Sequence, residues 1–286
     1  MTTPDLFAAD PARAARAVQV VAHRGSSAAL PEHTLAAYRR ALAEGADAVE
    51  CDVRLTRDRQ LVCVHDRTIA RVSDGGRRVV STLTLAELQA YDFGSWKPAA
   101  DGARGAGAQD DPERRSVLTL ESLLELVADC GRRVDLAIET KHPVRYRGAV
   151  EAELVRMLRR FGIGGAACGD QGDERRPHAR LMSFSGTALG RLRTQAPEFP
   201  RVFLFEHPSL LKLWPGAGLP AGAVIAGPGI ELVRRRPDLI RSLRAAGHRV
   251  HVWTVDEPAD VTLCLELGVE AIITNRPRAV LDQLGR

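Results

Sequence analysis

Short apolar runs alternate with amphipathic stretches along this chain. AVQVVAH (17–23) has the length and composition of a buried strand. His33–Glu44 follows with apolar residues at helical spacing: Leu35, Tyr38 and Leu42 share a face, and Gly45 is placed to end the helix. Asp47–Asp52 reads as a second strand, Leu120–Cys130 as a helix, and VDLAIE (134–139) as a third strand. Gly148–Arg160 is a strongly amphipathic helix. Further strands are expected at Ala179–Phe184, Arg201–Glu206, Ala223–Ala226, Arg249–Thr254 and Ala271–Thr274, with helices between them, notably Leu239–Ala246 and Pro258–Leu267. Eight strands, each joined to the next by a helix or a crossover-length segment, make the α/β pattern of a TIM-type (β/α)8 barrel. A doubly wound open sheet is the alternative. No Gly-x-Gly-x-x-Gly turn follows the first strand, which counts against its nucleotide-binding form.

One stretch breaks the alternation. Between Val53 and Ser116 lie a hairpin, a helical piece (Thr84–Tyr91) and the loose segment AADGARGAGAQDDPERR. We read 1–286 as a single barrel domain with an insertion at approximately 53–116, after the second barrel strand. The tail of the insertion is expected to be mobile, and 164–177 to be a long surface loop.

The length suits one barrel of this kind, and its core needs no disulfide staples. Five scattered cysteines, with no Cys-x-x-Cys, argue against a disulfide framework or a zinc knuckle and fit a reducing compartment. There is no signal-like leader in Met1–Val20 and no apolar run of membrane-spanning length, so a soluble, cytoplasmic protein without stable membrane insertion is expected. Net charge is +4, basic residues are spread out and aromatics are 5%, which disfavours nucleic acid as a partner. Only Lys97, Lys141 and Lys212 are lysines, so a retained lysine draws notice.

The chemistry concentrates in VECDVRLTRDRQLVCVHD (49–66). Glu50 and Asp52 are two apart on a strand and share a face. Adjacent carboxylates repel unless a cation sits between them, and their oxygens suit Mg2+ or Ca2+. The break RDRQ is too short for a parallel crossover, so Leu61–His65 must return antiparallel. With Asp58-Arg59 as the turn, the expected register pairs Thr56 with Leu61, Arg54 with Cys63 and Asp52 with His65. A barrel site lies at the C-terminal ends of the strands. There His23, Arg24, Glu50, Asp52, His65, Glu139, Lys141 and Trp253 would gather. Three acids suit a divalent cation, two histidines suit proton transfer, two fixed cations suit an anion, and the tryptophan supplies a wall. That set suits phosphodiester cleavage. His33, His142, His178, His207, His248 and His251 are assigned to surface or packing roles, Cys51 and Cys63 to packing, and Glu32 to a supporting place or the start of the first helix.

The chain resembles the glycerophosphodiester phosphodiesterase family over nearly its whole length. The resemblance rests on HRGSSAALPEHTLAAYRRALAEGADAVECDVRLTRDRQLVCVHD (23–66), AIETK (137–141) and VHVWTVDEPADVTLCLELGVEAIITNRP (250–277). It implies a TIM-type barrel with a small insertion, one divalent cation (Mg2+ or Ca2+, with Mn2+ admissible), and hydrolysis of glycerophosphodiesters to glycerol 3-phosphate and an alcohol. Position by position it makes His23 and His65 the acid/base pair and Glu50, Asp52 and Glu139 the metal ligands. It sets Arg24 and Lys141 against the phosphate and Trp253 beside the glycerol or headgroup. The family's Pro-Glu-Asn-Thr appears here as Pro31-Glu32-His33-Thr34, which weakens the expected helix cap. Asn275 stands where the family usually has Asp, and Asp256 where it has Asn. These changes are expected to affect loop packing or headgroup choice and to leave the acids and the two central histidines untouched. The alternatives are a related barrel phosphodiesterase acting on lysophospholipids or sphingomyelin, and a non-catalytic barrel that binds phosphate ligands. The polar, Arg-rich insertion disfavours the first, and the complete set of acids and histidines disfavours the second. The residues specify neither headgroup nor oligomeric state.

Overall fold

In the computed structural model, which describes residues 18–98, 111–165, 177–207 and 218–286, the apolar runs become strands buried on both faces. In chain order they are β1 (Gln19–His23), β2 (Ala48–Leu55), β3 (Leu61–Cys63), β4 (Asp135–Thr140), β5 (Gly164–Gly165), β6 (His178–Ser183), β7 (Arg201–Phe205), β8 (Ile225–Pro228), β9 (Arg249–Val252) and β10 (Ala271–Thr274). β1 pairs in parallel with both β10 and β2, so β1, β2, β4, β6, β7, β8, β9 and β10 close into an eight-stranded parallel barrel. β5 is a two-residue annex on β6.

Strand alternation explains the two main cores. Inward positions such as Val21, Ala48, Ala137, Met182, Leu204, Ile225, Ala271 and Ile273 fill the barrel with a mix of small and large side chains. Outward positions such as Val20, Val49, Cys51, Ile138 and Val250 meet the helices. The sixth expected barrel strand, 223–226, sits two residues later at Ile225–Pro228. The other elements agree within a few residues.

The first helix runs Leu35–Ala43, and its N-cap is Thr34, whose hydroxyl accepts from the Ala37 amide. His33 therefore precedes the cap and does not weaken it. At the other end Gly45 adopts φ 93°, and the Gly45 and Ala46 amides donate to the Leu42 and Ala41 carbonyls. That is a Schellman ending, as the position of the glycine suggested.

After β2 the chain turns back as β3, antiparallel to it. The register is one residue off the expected one: Val53 pairs with Cys63, Arg54 with Val62 and Leu55 with Leu61. The cause is loop length. The Thr56 amide donates to the Gln60 carbonyl and Arg59 takes φ 65°, so three residues turn the chain where four were counted. The rest of the insertion packs on a core of its own, built from Val62, Val64, Ile69, Val72, Val80, Leu88, Phe93 and Val117. Its Ala/Gly/Asp-rich tail and the stretch 164–177 fall largely outside the described residues. Among the described residues no helix is long and apolar enough to cross a membrane.

Candidate active site

The three acids are neighbours because of strand register. Glu50 and Asp52 point inward from β2, and β4 sets Glu139 opposite Asp52. One carboxylate oxygen from each lies within 4.8 Å of the others, and all three residues are buried. Two cations hold the central acid. Lys141 Nζ stands 3.3 Å from Asp52 Oδ1 and 2.8 Å from Glu139 Oε1, and Arg24 Nε stands 3.0 Å from Asp52 Oδ2. The Arg24 amide donates to Glu50 Oε2 at 3.1 Å.

Burial pushes the Glu50 carboxyl well above its usual range, and Asp52 adds to the shift. Burial and the Asp52 charge push Glu139 up to about 8. Asp52 goes the other way: burial opposes ionisation, but Arg24, Lys141 and His33 hold it well below the usual range. Two cations thus hold Asp52 ionised, while Glu139 has only a share of Lys141 and Glu50 pairs with neither cationic side chain. The donors are all oxygens, and Asp52 Oδ1 is buried without a hydrogen bond. A hard divalent cation matches this set and offsets the mutual repulsion of Glu50, Asp52 and Glu139.

The turn after β1 brings in His23 and Arg24. Arg24 has φ 58° and Gly25 φ 82°, and a Cβ on Gly25 would lie 2.6 Å from the Ala37 carbonyl carbon. Only glycine lets the first helix sit this close to the strand end. His23 Nδ1 lies 2.7 Å from Asn275 Oδ1. That oxygen also accepts from the Ser27 hydroxyl, while Asn275 Nδ2 donates to Asp256 Oδ2 at 2.6 Å. The amide orientation follows from these partners, so Nδ1 of His23 carries the proton. Its Nε2 is left facing the acids, 4.0 Å from Glu50 Oε2. Burial, with Arg24 next, lowers the His23 pKa to about 3.

His65 arrives from the other side. The one-residue shift would turn its side chain away from Asp52 if β3 continued. Pairing ends instead at the bond from the Val64 amide to the Asp52 carbonyl, and the chain then bends. His65 lines the same cavity, of about 100 Å3, as His23, Glu50, Glu139 and Lys141. Its Nδ1 lies 2.6 Å from Asp66 Oδ1, and Arg71 Nε donates to the other Asp66 oxygen at 2.7 Å. Burial lowers the His65 pKa, against the pull of Asp52 and Asp66.

Trp253 forms the far wall with Phe184, ring centroids 5.4 Å apart and edge to face, and its indole nitrogen donates to the Gly227 carbonyl. All eight residues nominated from sequence gather here, with Asp52 behind the cavity wall.

Several others were missed, while Glu32 takes the supporting place expected of it. His33 is no surface residue: it is buried with φ 59°, its Nε2 lies 2.9 Å from Asp52 Oδ2, and its Nδ1 lies 2.8 Å from the Tyr38 hydroxyl. Glu32 accepts from Arg24 and, through both oxygens, from Arg71. A chain of charges therefore runs from Asp52 through Arg24, Glu32, Arg71 and Asp66 to His65. Asn275 touches His23 directly, so the exchange with Asp256 does reach a central histidine. Phe184 and Glu206 also line the cavity. Both end expected strands, and that position was a usable signal. Nothing local marks Arg71.

The family model described as "Glycerophosphoryl diester phosphodiesterase family" matches residues 23–279. A Mycobacterium tuberculosis protein named "Probable glycerophosphodiester phosphodiesterase 1" is 47% identical over 258 residues, covering 90% of this chain and 89% of its own. A Bacillus subtilis glycerophosphodiester phosphodiesterase is 30% identical over 263 residues, covering 91% of this chain and 84% of its own. Among solved structures, an Oleispira antarctica phosphodiesterase in complex with the product sn-glycerol-3-phosphate aligns with TM-score 0.72 at 24% identity, over 94% of this chain and 97% of that one. That likeness is one of fold. By the extent of the match and by identity with its relatives, this chain belongs to the glycerophosphoryl diester phosphodiesterase family.

Proposed function

We propose that the protein hydrolyses glycerophosphodiesters to glycerol 3-phosphate and an alcohol, with one divalent cation held by Glu50, Asp52 and Glu139. The observation that carries this reading is one cavity lined by Glu50 and Glu139, with Asp52 completing their cluster behind its wall, and by two histidines whose Nε2 atoms have no protein hydrogen bond among the described residues. A divalent cation held there by Glu50, Asp52 and Glu139 would supply positive charge to stabilise the phosphoryl oxygens. Arg24 and Lys141 border the same space and neutralise the remaining anionic oxygens. Trp253 and Phe184 give the glycerol or the headgroup an apolar wall.

The two histidines have different backing, and we assign their roles from it. His23 is held by a neutral amide oxygen, which fixes the tautomer and leaves Nε2 as an acceptor. It takes the proton from the attacking hydroxyl, whether of water or of the substrate. His65 is held by the Asp66 carboxylate, which favours the protonated ring. It returns a proton to the departing alcohol oxygen. The described cysteines are free thiols, which supports a reducing, cytoplasmic setting.

The test is turnover of a glycerophosphodiester panel with Mg2+, Ca2+ or Mn2+, scored by released glycerol 3-phosphate. Activity with at least one cation, abolished by excess chelator, is expected. Full activity in chelator, or phosphate released on the headgroup side, overturns the reading. Replacing His23 or His65 by Ala should cut turnover by about 10²–10⁴ with the fold intact.

A further inference from the structure

A second cavity, of about 530 Å3, opens between the insertion and the loop that follows β4. It shares no lining residue with the catalytic cavity. Arg54, Arg67 and Arg145 line it, and no Asp or Glu does. Elsewhere arginines such as Arg24, Arg57 and Arg71 each meet a carboxylate within 4 Å. Among the described residues, none of the three lining arginines does.

Arg54 is the informative member. It is only 8% exposed, on the same face of β2 as Glu50 and Asp52. Its Nε and Nη2 both donate to the His65 carbonyl, at 3.1 and 2.7 Å, and its Nη1 has no hydrogen bond among the described residues. A guanidinium keeps its charge, and burial is unfavourable to it; Asp52, Glu139 and Asp66 act on Arg54 from a distance, but none pairs with it directly. Arg67 and Arg145 stand exposed at the mouth, adding positive charge where an acid would offset it. The walls are built, not fortuitous. The Tyr146 hydroxyl donates to the Ser81 carbonyl, tying loop to insertion, and the Arg59 guanidinium lies 4.5 Å from the Tyr146 ring centroid.

We propose that this cavity binds a phosphate-bearing small molecule, its oxyanion held by Arg54, Arg67 and Arg145. Three cations match a dianion, and guanidinium forks match phosphate oxygens. The volume admits inorganic phosphate or a phosphate on a small polyol. Because Arg54 also grips the His65 carbonyl, a ligand that draws on Arg54 loosens the segment carrying His65. Occupancy therefore lowers turnover without competing with substrate. The binding does not depend on the reaction assigned above, and its test can be read without turnover.

The test is isothermal calorimetry on the Mg2+-loaded protein with inorganic phosphate, and separately with glycerol 3-phosphate and decanoate. The wild type should bind two phosphates. The Arg67→Ala/Arg145→Ala double variant should lose one of them, or bind it at least ten-fold more weakly, while basal turnover is unchanged. A single phosphate that the double variant still binds, or an unchanged second site in the double variant, overturns the proposal; a single phosphate that the double variant loses supports it. Tighter binding of decanoate than of either phosphate probe at the arginine-dependent site overturns the ligand class. Glycerol 3-phosphate binding there as well as phosphate assigns the source to product; phosphate alone assigns it to the free ion. In kinetics at saturating substrate, phosphate should lower kcat at least two-fold in the wild type and not in the double variant. Binding without that effect refutes the coupling through Arg54.

Discussion

His65 and His23 can be told apart by the leaving group. With an alkyl alcohol as the departing group, loss of the acid leaves an alkoxide to depart unprotonated. With p-nitrophenol, the oxygen needs little protonation. His65→Ala should therefore lose about 10²–10⁴ in kcat/KM on glycerophosphoethanolamine, or about 2.7–5.4 kcal/mol, and far less on the p-nitrophenyl diester of glycerol phosphate. His23→Ala should lose similarly on both, because the attacking hydroxyl is the same. Asp66→Asn sharpens the test. It replaces a 2.6 Å charge-assisted hydrogen bond on His65 with a neutral one. The pair is about one-third exposed, so the low end of the range for such bonds applies, about 1.5 kcal/mol or roughly ten-fold. That loss should appear with the poor leaving group and shrink with the good one. Steady-state kinetics of the four enzymes on the two substrates decide it. If His65→Ala falls equally on both while His23→Ala recovers with p-nitrophenol, the roles are reversed. If neither shows leaving-group dependence, protonation of the departing oxygen does not limit the reaction.

Burial and Asp52 push Glu139 up to about 8, so protons compete with the cation there. Glu50 is raised as well, so Mg2+ affinity, measured by calorimetry, should rise with pH by at least about ten-fold per unit below 8; a flat profile would count against Glu139 as a ligand. Glu32 is held at about 2 against an ordinary 4.5, despite burial, by Arg71 and Arg24. The folded value is depressed, so the stabilisation is fully present above pH 4.5 and is lost as pH falls through about 2. Glu32→Gln should lose up to about 3 kcal/mol in denaturant unfolding at pH 7, and the gap to wild type should close across that window. Gly25→Ala puts a Cβ 2.6 Å from backbone at φ 82°. It should cost about 1–3 kcal/mol and displace His23, seen as a lower melting temperature together with lost activity. Asn275→Asp alone faces Asp256 across what is now a 2.6 Å bond, and should lose about 1–3 kcal/mol. Adding Asp256→Asn should restore stability; a double variant no more stable than the single one refutes the pairing.

The barrel was legible because its signal is repeated. Eight apolar runs with helical spacing between them leave few alternatives, and a boundary error such as 223–226 for Ile225–Pro228 moves no conclusion. The hairpin register was different, since a single turn decides it. Whether Arg57-Asp58-Arg59 or four residues make that turn depends on Arg59 entering the left-handed region, and arginine carries no such preference in its sequence. The placement of His65 survived the slip because the chain leaves the strand after Cys63.

The gathering of the acids, the two histidines, Arg24 and Lys141 was legible for a related reason. Each sits at a strand end, where position along the chain translates directly into position in the barrel. What supports them does not follow that rule. From its place before the first helix His33 reads as a weak cap, yet its imidazole spans from Tyr38 to Asp52 and takes its place among the groups that hold that acid charged. Arg71 reaches Glu32 and Asp66 from a turn in the insertion, 39 residues on from the first and five from the second. Asn275 and Asp256, compared one at a time, look like two unrelated departures from the family pattern. In space they are one exchange: amide and carboxylate trade places across the 2.6 Å bond they share. The negative charge moves one hydrogen bond away from His23, which keeps an acceptor on Nδ1 and loses a counter-ion. A histidine backed by an amide holds its proton less readily than one backed by a carboxylate. The exchange therefore bears on the division of labour between His23 and His65, and reading it needed both positions at once.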